Sequence, residues 1–198
     1  MTYAIIGSGA IGSALARQFA RHQIPVAIAN SRGPTSIVSL ADELGSPIVP
    51  CSLDGALDAD VIILAVPFAA VPEAVKGHAG WHGKIVVDAT NAIDFSDYSP
   101  ADLGGRLSSD IVAEAVPGAA LVKAFNTLPA AILARDPAAG HGNRVLFVSG
   151  NDASANATIS ELATRLGFAP ITLGALADGG RLQQYGGPLV AQDLVKEH

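Results

Sequence analysis

The sequence predicts an α/β domain with a doubly wound, mostly parallel sheet, and three observations carry that expectation. Short, largely unbroken apolar runs recur at residues 4–6, 26–29, 48–49, 61–66, 85–87, 121–125 (broken by Lys123), 145–148 and 171–173. An unbroken run is buried on both faces, as strands of a parallel sheet are, whereas a strand with one wet face alternates. Between the runs lie amphipathic stretches, and strand–helix alternation folds with right-handed crossovers. Finally, 198 residues that are 49% hydrophobic and 15% charged are enough for one sizeable core without disulfide or metal support.

Among the helical stretches, residues 10–22 place Ile11, Leu15 and Phe19 on one face and turn Arg17 and Arg21 away. Residues 152–166 repeat the pattern through Ile159, Leu162, Ala163 and Leu166, and Gly167 supplies the stop. Two segments break the rhythm. Residues 91–105, with Pro100 and Gly104-Gly105, read as a loop after a strand. From residue 174 onward, Gly179-Gly180 and Gly186-Gly187-Pro188 forbid a long helix until about Leu189. The expected organisation is one domain over residues 1–173 and a short glycine-rich tail over 174–198, serving an acceptor pocket, a dimer contact or both.

Composition narrows the function. Twelve Lys and Arg against 18 Asp and Glu give a net charge of −6, which speaks against nucleic acid or an anionic membrane as partner. The longest apolar run is far short of the ~20 residues of a membrane span, and no basic segment precedes the first strand as a targeting signal would require. Cys51 has no partner for a disulfide. A soluble, cytoplasmic protein is expected. His22, His78, His82, His141 and His198 show no ligand spacing, and no serine stands in a nucleophile elbow. Asp54, Asp58 and Asp60 read as a solvated helix start and Trp81 as a packing residue. Hydrolysis, metal catalysis and covalent catalysis lack an apparatus.

One motif carries chemistry. Gly7-Ser8-Gly9-Ala10-Ile11-Gly12 follows the first apolar strand and opens the first helix, the context in which such a pattern binds a dinucleotide. Gly7 permits the tight turn, Gly9 lets the backbone approach a pyrophosphate, and Gly12 allows close helix packing. The helix amino terminus offers free N–H groups and partial positive charge. The fold class thereby sharpens to Rossmann type. The second strand ends in Asn30-Ser31-Arg32-Gly33, without the carboxylate that binds the ribose hydroxyls of NAD. Arg32, with Ser31, is suited to a 2′-phosphate, so NADP(H) is the expected cofactor. Ala65, Val66 and Pro67 close a central strand at the edge where ligands bind. Asn91, Asn126 and Thr127 end two further strands and are candidates to orient a nicotinamide. For Thr127, capping before Pro129 is an equal alternative.

Taken together, the glycine loop, Asn30-Ser31-Arg32-Gly33, Ala65-Val66-Pro67, Asp88-Ala89-Thr90-Asn91, Lys123-Ala124-Phe125-Asn126-Thr127 and Val148-Ser149-Gly150-Asn151-Asp152 resemble the NADP oxidoreductases dependent on coenzyme F420, an 8-hydroxy-5-deazaflavin. The resemblance runs from Tyr3 to about Leu173. It implies a domain that binds NADP(H), a homodimer, and hydride passed between nicotinamide and a small-molecule acceptor, either the deazaflavin or a flavin. By position, Ser31 and Arg32 fall on the 2′-phosphate site and Ala10 with Ile11 on the pyrophosphate loop. Two other readings stay open: an NADPH-binding redox sensor without turnover, and a reductase of a small imine, carbonyl or ferric substrate. Hydride transfer between two cofactor-like rings needs position and electrostatics more than a protein acid or base.

Overall fold

The computed structural model describes residues 1–198. Eight strands form the main sheet: β1 Tyr3–Ile6, β2 Val26–Ala29, β3 Ile48–Pro50, β4 Val61–Leu64, β5 Ile85–Asp88, β6 Ala120–Ala124, β7 Gly142–Gly150 and β8 Ala169–Thr172. Their order across the sheet is β8-β7-β6-β5-β4-β1-β2-β3. From β3 to β6 every neighbour pair is parallel. Strand β7 runs antiparallel to β6 and parallel to β8. The α/β Rossmann-type fold with a mostly parallel sheet is therefore the one the sequence predicts.

The unbroken apolar runs have a direct cause. Successive side chains of a strand point to opposite faces, and each face here has its own core. Ile5, Val61 and Ile63 join one core with Leu15 and Phe19 of helix α1 (Ala10–Arg21). Ala4, Ile6, Ile62 and Leu64 join the other with Ala56 and Leu57 of α2 (Leu53–Leu57), Trp81, and Val112 of α3 (Ser108–Ala115). Helix α4 (Ala153–Arg165) covers the first face through Ile159, Leu162 and Ala163. Asp152 caps it by accepting the Ala155 N–H at 2.8 Å, and Gly167 at φ 84° ends it.

Two segments differ from their expected form. The stretch after β5 is more than a loop: Ile93–Asp94 pairs antiparallel with Ser99–Pro100, and Phe95 and Tyr98 stand exposed on the resulting hairpin. The tail forms no helix beyond Leu189. It makes a wide helical turn at Leu176–Gly180 and a short one at Arg181–Gln183, and returns as strand β9 (Val195–Glu197). The amino-terminal end of β7 extends past its neighbours, and its free ladder groups pair with β9 through Gly142↔Glu197 and Arg144↔Val195. No helix is long and apolar enough to cross a membrane.

Candidate functional site

Between β1 and β4, where the strand order reverses, a cleft of about 600 Å³ opens at the carboxyl edge of the sheet. Ligands of open α/β sheets bind at such a switch point. Gly7, Ser8 and Gly9 line it from β1, and Ala65, Val66 and Pro67 from β4. The three glycines divide the work. A Cβ on Gly7 would run into the Ala65 carbonyl, and one on Gly12 into the carbonyl of Gly7. A Cβ on Gly9 would meet nothing within 4 Å, because that position faces the open cleft. The first two are glycines for packing and the middle one is glycine for access. Ala10, Ile11 and Gly12 stand behind the lining, in the first turn of α1. Gly9 occupies the N-cap with no side-chain bond to the helix, which leaves first-turn N–H groups for an anion.

At the end of β2, Asn30 organises the wall. Its Oδ1 accepts the Arg32 backbone N–H at 2.8 Å, and its Nδ2 donates to Ser8 Oγ at 2.7 Å and to Ser36 Oγ at 2.9 Å. Asn30 is buried, whereas Ser31 and Arg32 are exposed at the cleft lip. The Arg32 guanidinium comes within 3.5 Å of Ser8 Oγ and forms no ion pair with any carboxylate of the chain. An unpaired guanidinium beside two hydroxyls and an amide is a suitable seat for a phosphate dianion.

Leu53, Ala70, Glu73 and Ala74 also line the cleft, and the sequence did not single them out. They sit on short helical turns after β3 and β4, too short to give a readable period. Glu73 is paired with Lys76 at 3.2 Å on the surface.

Asn91, Asn126 and Thr127 do not line this cleft. They lie further along the same edge, beyond the ends of β5 and β6. Asn126 and Thr127 are buried and Asn91 half-buried. Asn126 Nδ2 donates to Asn91 Oδ1 at 3.0 Å and to the Gln183 carbonyl at 2.7 Å, while Asn91 Nδ2 donates to the Asn126 carbonyl at 2.9 Å. Phe125, just before, holds φ 63°, a left-handed conformation that costs about 1–2 kcal/mol for a residue with a side chain.

Beneath lies a buried polar layer. Lys123 Nζ pairs with Asp88 Oδ2 at 2.8 Å, both side chains essentially inaccessible, and Asp88 Oδ1 accepts the Thr90 N–H and hydroxyl. Gln183 of the tail, fully buried, donates to the Lys123 and Phe147 carbonyls at 3.1 Å each and accepts the Ser149 hydroxyl. Gln184 Oε1 accepts the Ser108 N–H at the start of α3. The tail is thus knitted into the carboxyl edge. Elsewhere, no group of three or more His, Cys, Asp and Glu side chains is disposed to hold a metal ion.

Sheet order, switch-point cleft and glycine geometry together define a chain of the doubly wound, dinucleotide-binding class. Residues 2–92 match the family described as NADP oxidoreductase, coenzyme F420-dependent. A hypothetical protein of Sinorhizobium meliloti of known structure is 58% identical over 100% of this chain and 96% of its own, with a TM-score of 0.97. A crystal structure from an Arthrobacter species, provisionally described as an F420-dependent NADP reductase, is 28% identical over 89% of this chain and 86% of its own, with a TM-score of 0.75. The amino-terminal part of the chain thus matches the family that its motifs resemble. The rat metalloreductase STEAP3 is 36% identical over 63 residues, 32% of this chain, and the matched segment spans 12% of that protein. A reductive aminase of Aspergillus terreus in complex with NADPH and ethyl levulinate, 18% identical over 88% of this chain and 55% of its own at a TM-score of 0.63, shares the fold.

Proposed function

We propose that this protein binds NADP(H) in the switch-point cleft and catalyses hydride transfer between it and a flat, flavin-like acceptor such as deazaflavin coenzyme F420. The observation that carries the cofactor half is the end of β2, where an amide replaces the usual carboxylate and an unpaired Arg32 stands at the lip beside Ser31. Ser8, Gly9 and the first turn of α1 hold the pyrophosphate, Ala10 and Ile11 through their backbone and Gly12 by allowing the helix to approach. Ala65, Val66 and Pro67 give the apolar wall, and Asn126 orients the nicotinamide end, flanked by Thr127. When bound, the nicotinamide supplies the hydride chemistry, and the chain contributes position and exclusion of water.

The acceptor half rests on the match of residues 2–92 to the coenzyme F420-dependent family and on the absence of any need for a protein acid in ring-to-ring transfer. The same reading places the protein in the cytoplasm as a homodimer, the second copy helping to shield the acceptor at the hairpin and tail. Calorimetry with NADPH and NADH tests the cofactor, and equal affinities would defeat it. Absorbance of NADPH during incubation with F420, free flavins, ferric chelates and cyclic imines tests the acceptor. Oxidation with F420 or flavin supports the reading, and oxidation confined to imines or ferric chelates replaces it. Light scattering reads the oligomer.

A further inference from the structure

The reciprocal bonds between Asn91 and Asn126 have an unusual form. Asn91 presents a primary carboxamide that donates through Nδ2 to the main-chain carbonyl of Asn126 at 2.9 Å. It accepts through Oδ1 from Nδ2 of Asn126 at 3.0 Å. Asn126 therefore offers a seat for a primary carboxamide, with one acceptor and one donor side by side, and a side chain of the chain itself is sitting in it. The seat is built rather than incidental. Phe125 is held at φ 63° to place it, and the second N–H of Asn126 Nδ2 is tied to the Gln183 carbonyl at 2.7 Å. With Nδ2 facing two acceptors, the carboxamide cannot flip without setting oxygen against oxygen. Its Oδ1 is left buried without a hydrogen-bond partner. Buried acceptors are rarely left so, and an unsatisfied one marks a group the chain alone does not complete.

Nicotinamide carries the same functional group as the Asn91 side chain. The seat lies between the ends of β5 and β6, and the cleft lies between β1 and β4. Two strand spacings, roughly 10 Å in all, separate them along one edge, and the ribosyl-nicotinamide half of a dinucleotide extends in that direction from the pyrophosphate.

We propose that the Asn91 side chain is a placeholder for the nicotinamide carboxamide, occupying the Asn126 seat in the free protein and yielding it when cofactor binds. Asn91 then competes with the nicotinamide rather than recruiting it, the reverse of the orienting role its position first suggests. Gln183 is the positioning residue, because its carbonyl keeps the Asn126 amide in the receptive orientation after Asn91 has left. The inference rests on the proposed NADP(H) site.

The test compares two ligands by calorimetry: NADPH, and 2′-phospho-ADP-ribose, which lacks the nicotinamide. Emptying the seat by Asn91→Ala, or by Asn91→Ser should the first variant fold poorly, is expected to tighten NADPH binding roughly 3- to 10-fold, since two competing hydrogen bonds disappear. Affinity for the fragment should not change. Asn126→Ala should weaken NADPH binding and leave the fragment alone. If the Asn91 variants bind NADPH no more tightly, relative to the fragment, than the unmutated chain does, the placeholder idea is overturned. If the unmutated chain binds neither ligand, it is the cofactor reading itself that fails.

Discussion

Asn30 Oδ1 accepts the backbone N–H of Arg32 at 2.8 Å, so the residue that replaces the usual carboxylate also shapes the loop carrying the guanidinium. One side chain thus shapes the loop on which the proposed cofactor choice rests. Asn30→Asp keeps an oxygen for the Arg32 N–H but sets a negative charge beside the phosphate seat. NADPH affinity should fall at least 10-fold and NADH affinity should change little, as read by calorimetry.

Arg32→Ala removes a charge-assisted contact without touching the fold, since the side chain is exposed and unpaired. The expected loss is about 1.5–3 kcal/mol, or roughly 10- to 150-fold in NADPH affinity. A Tm unchanged beside that loss would assign the effect to binding.

The glycine loop separates packing from access. Gly12→Ala drives a methyl into the Gly7 carbonyl and should destabilise the fold by about 1–3 kcal/mol. Gly9→Ala puts the same methyl into open cleft and should leave Tm within a degree or two while weakening NADPH binding. Equal thermal losses in the two variants would refute this division.

The Lys123–Asp88 pair is buried on both sides, so removing one partner strands a charge. Lys123→Met should cost about 3–5 kcal/mol in urea unfolding. Restoring neutrality with Asp88→Asn in the same chain should return part of it, because the lone carboxylate is then gone.

Asp60 ties the chain start to the sheet. Its Oδ2 accepts the Thr2 N–H at 2.6 Å, and these Thr2 bonds hold the carboxyl below its ordinary 3.8. A depressed carboxyl contributes stability that is fully present above its unfolded value and is lost as pH falls through the folded one. Stability should therefore not depend on Asp60 protonation at neutral pH and should drop below about pH 4. Asp60→Asn should flatten part of that acid limb in circular dichroism.

All eight strands were legible in the sequence as short apolar runs, and in the five strands β1, β2, β4, β5 and β6 the run feeds two cores at once, Ile5 to one side and Ile6 to the other. The glycine loop and Asn30-Ser31-Arg32 were legible for another reason: their chemistry lies within a few residues of chain, and Gly7, Gly9 and Arg32 do line the cleft. The sequence by itself thus determined the fold class, the glycine loop between β1 and α1 and the residue types at the end of β2. Tertiary structure alone decided the rest. The partners of Gln183 lie 34 to 60 residues away in the chain, and Asn91 and Asn126 are 35 apart. No local period records such meetings. Only the order of strands, with β6 beside β5 and β7 turned antiparallel, brings them to one edge, and that order follows from how two faces of helices close over a shared sheet.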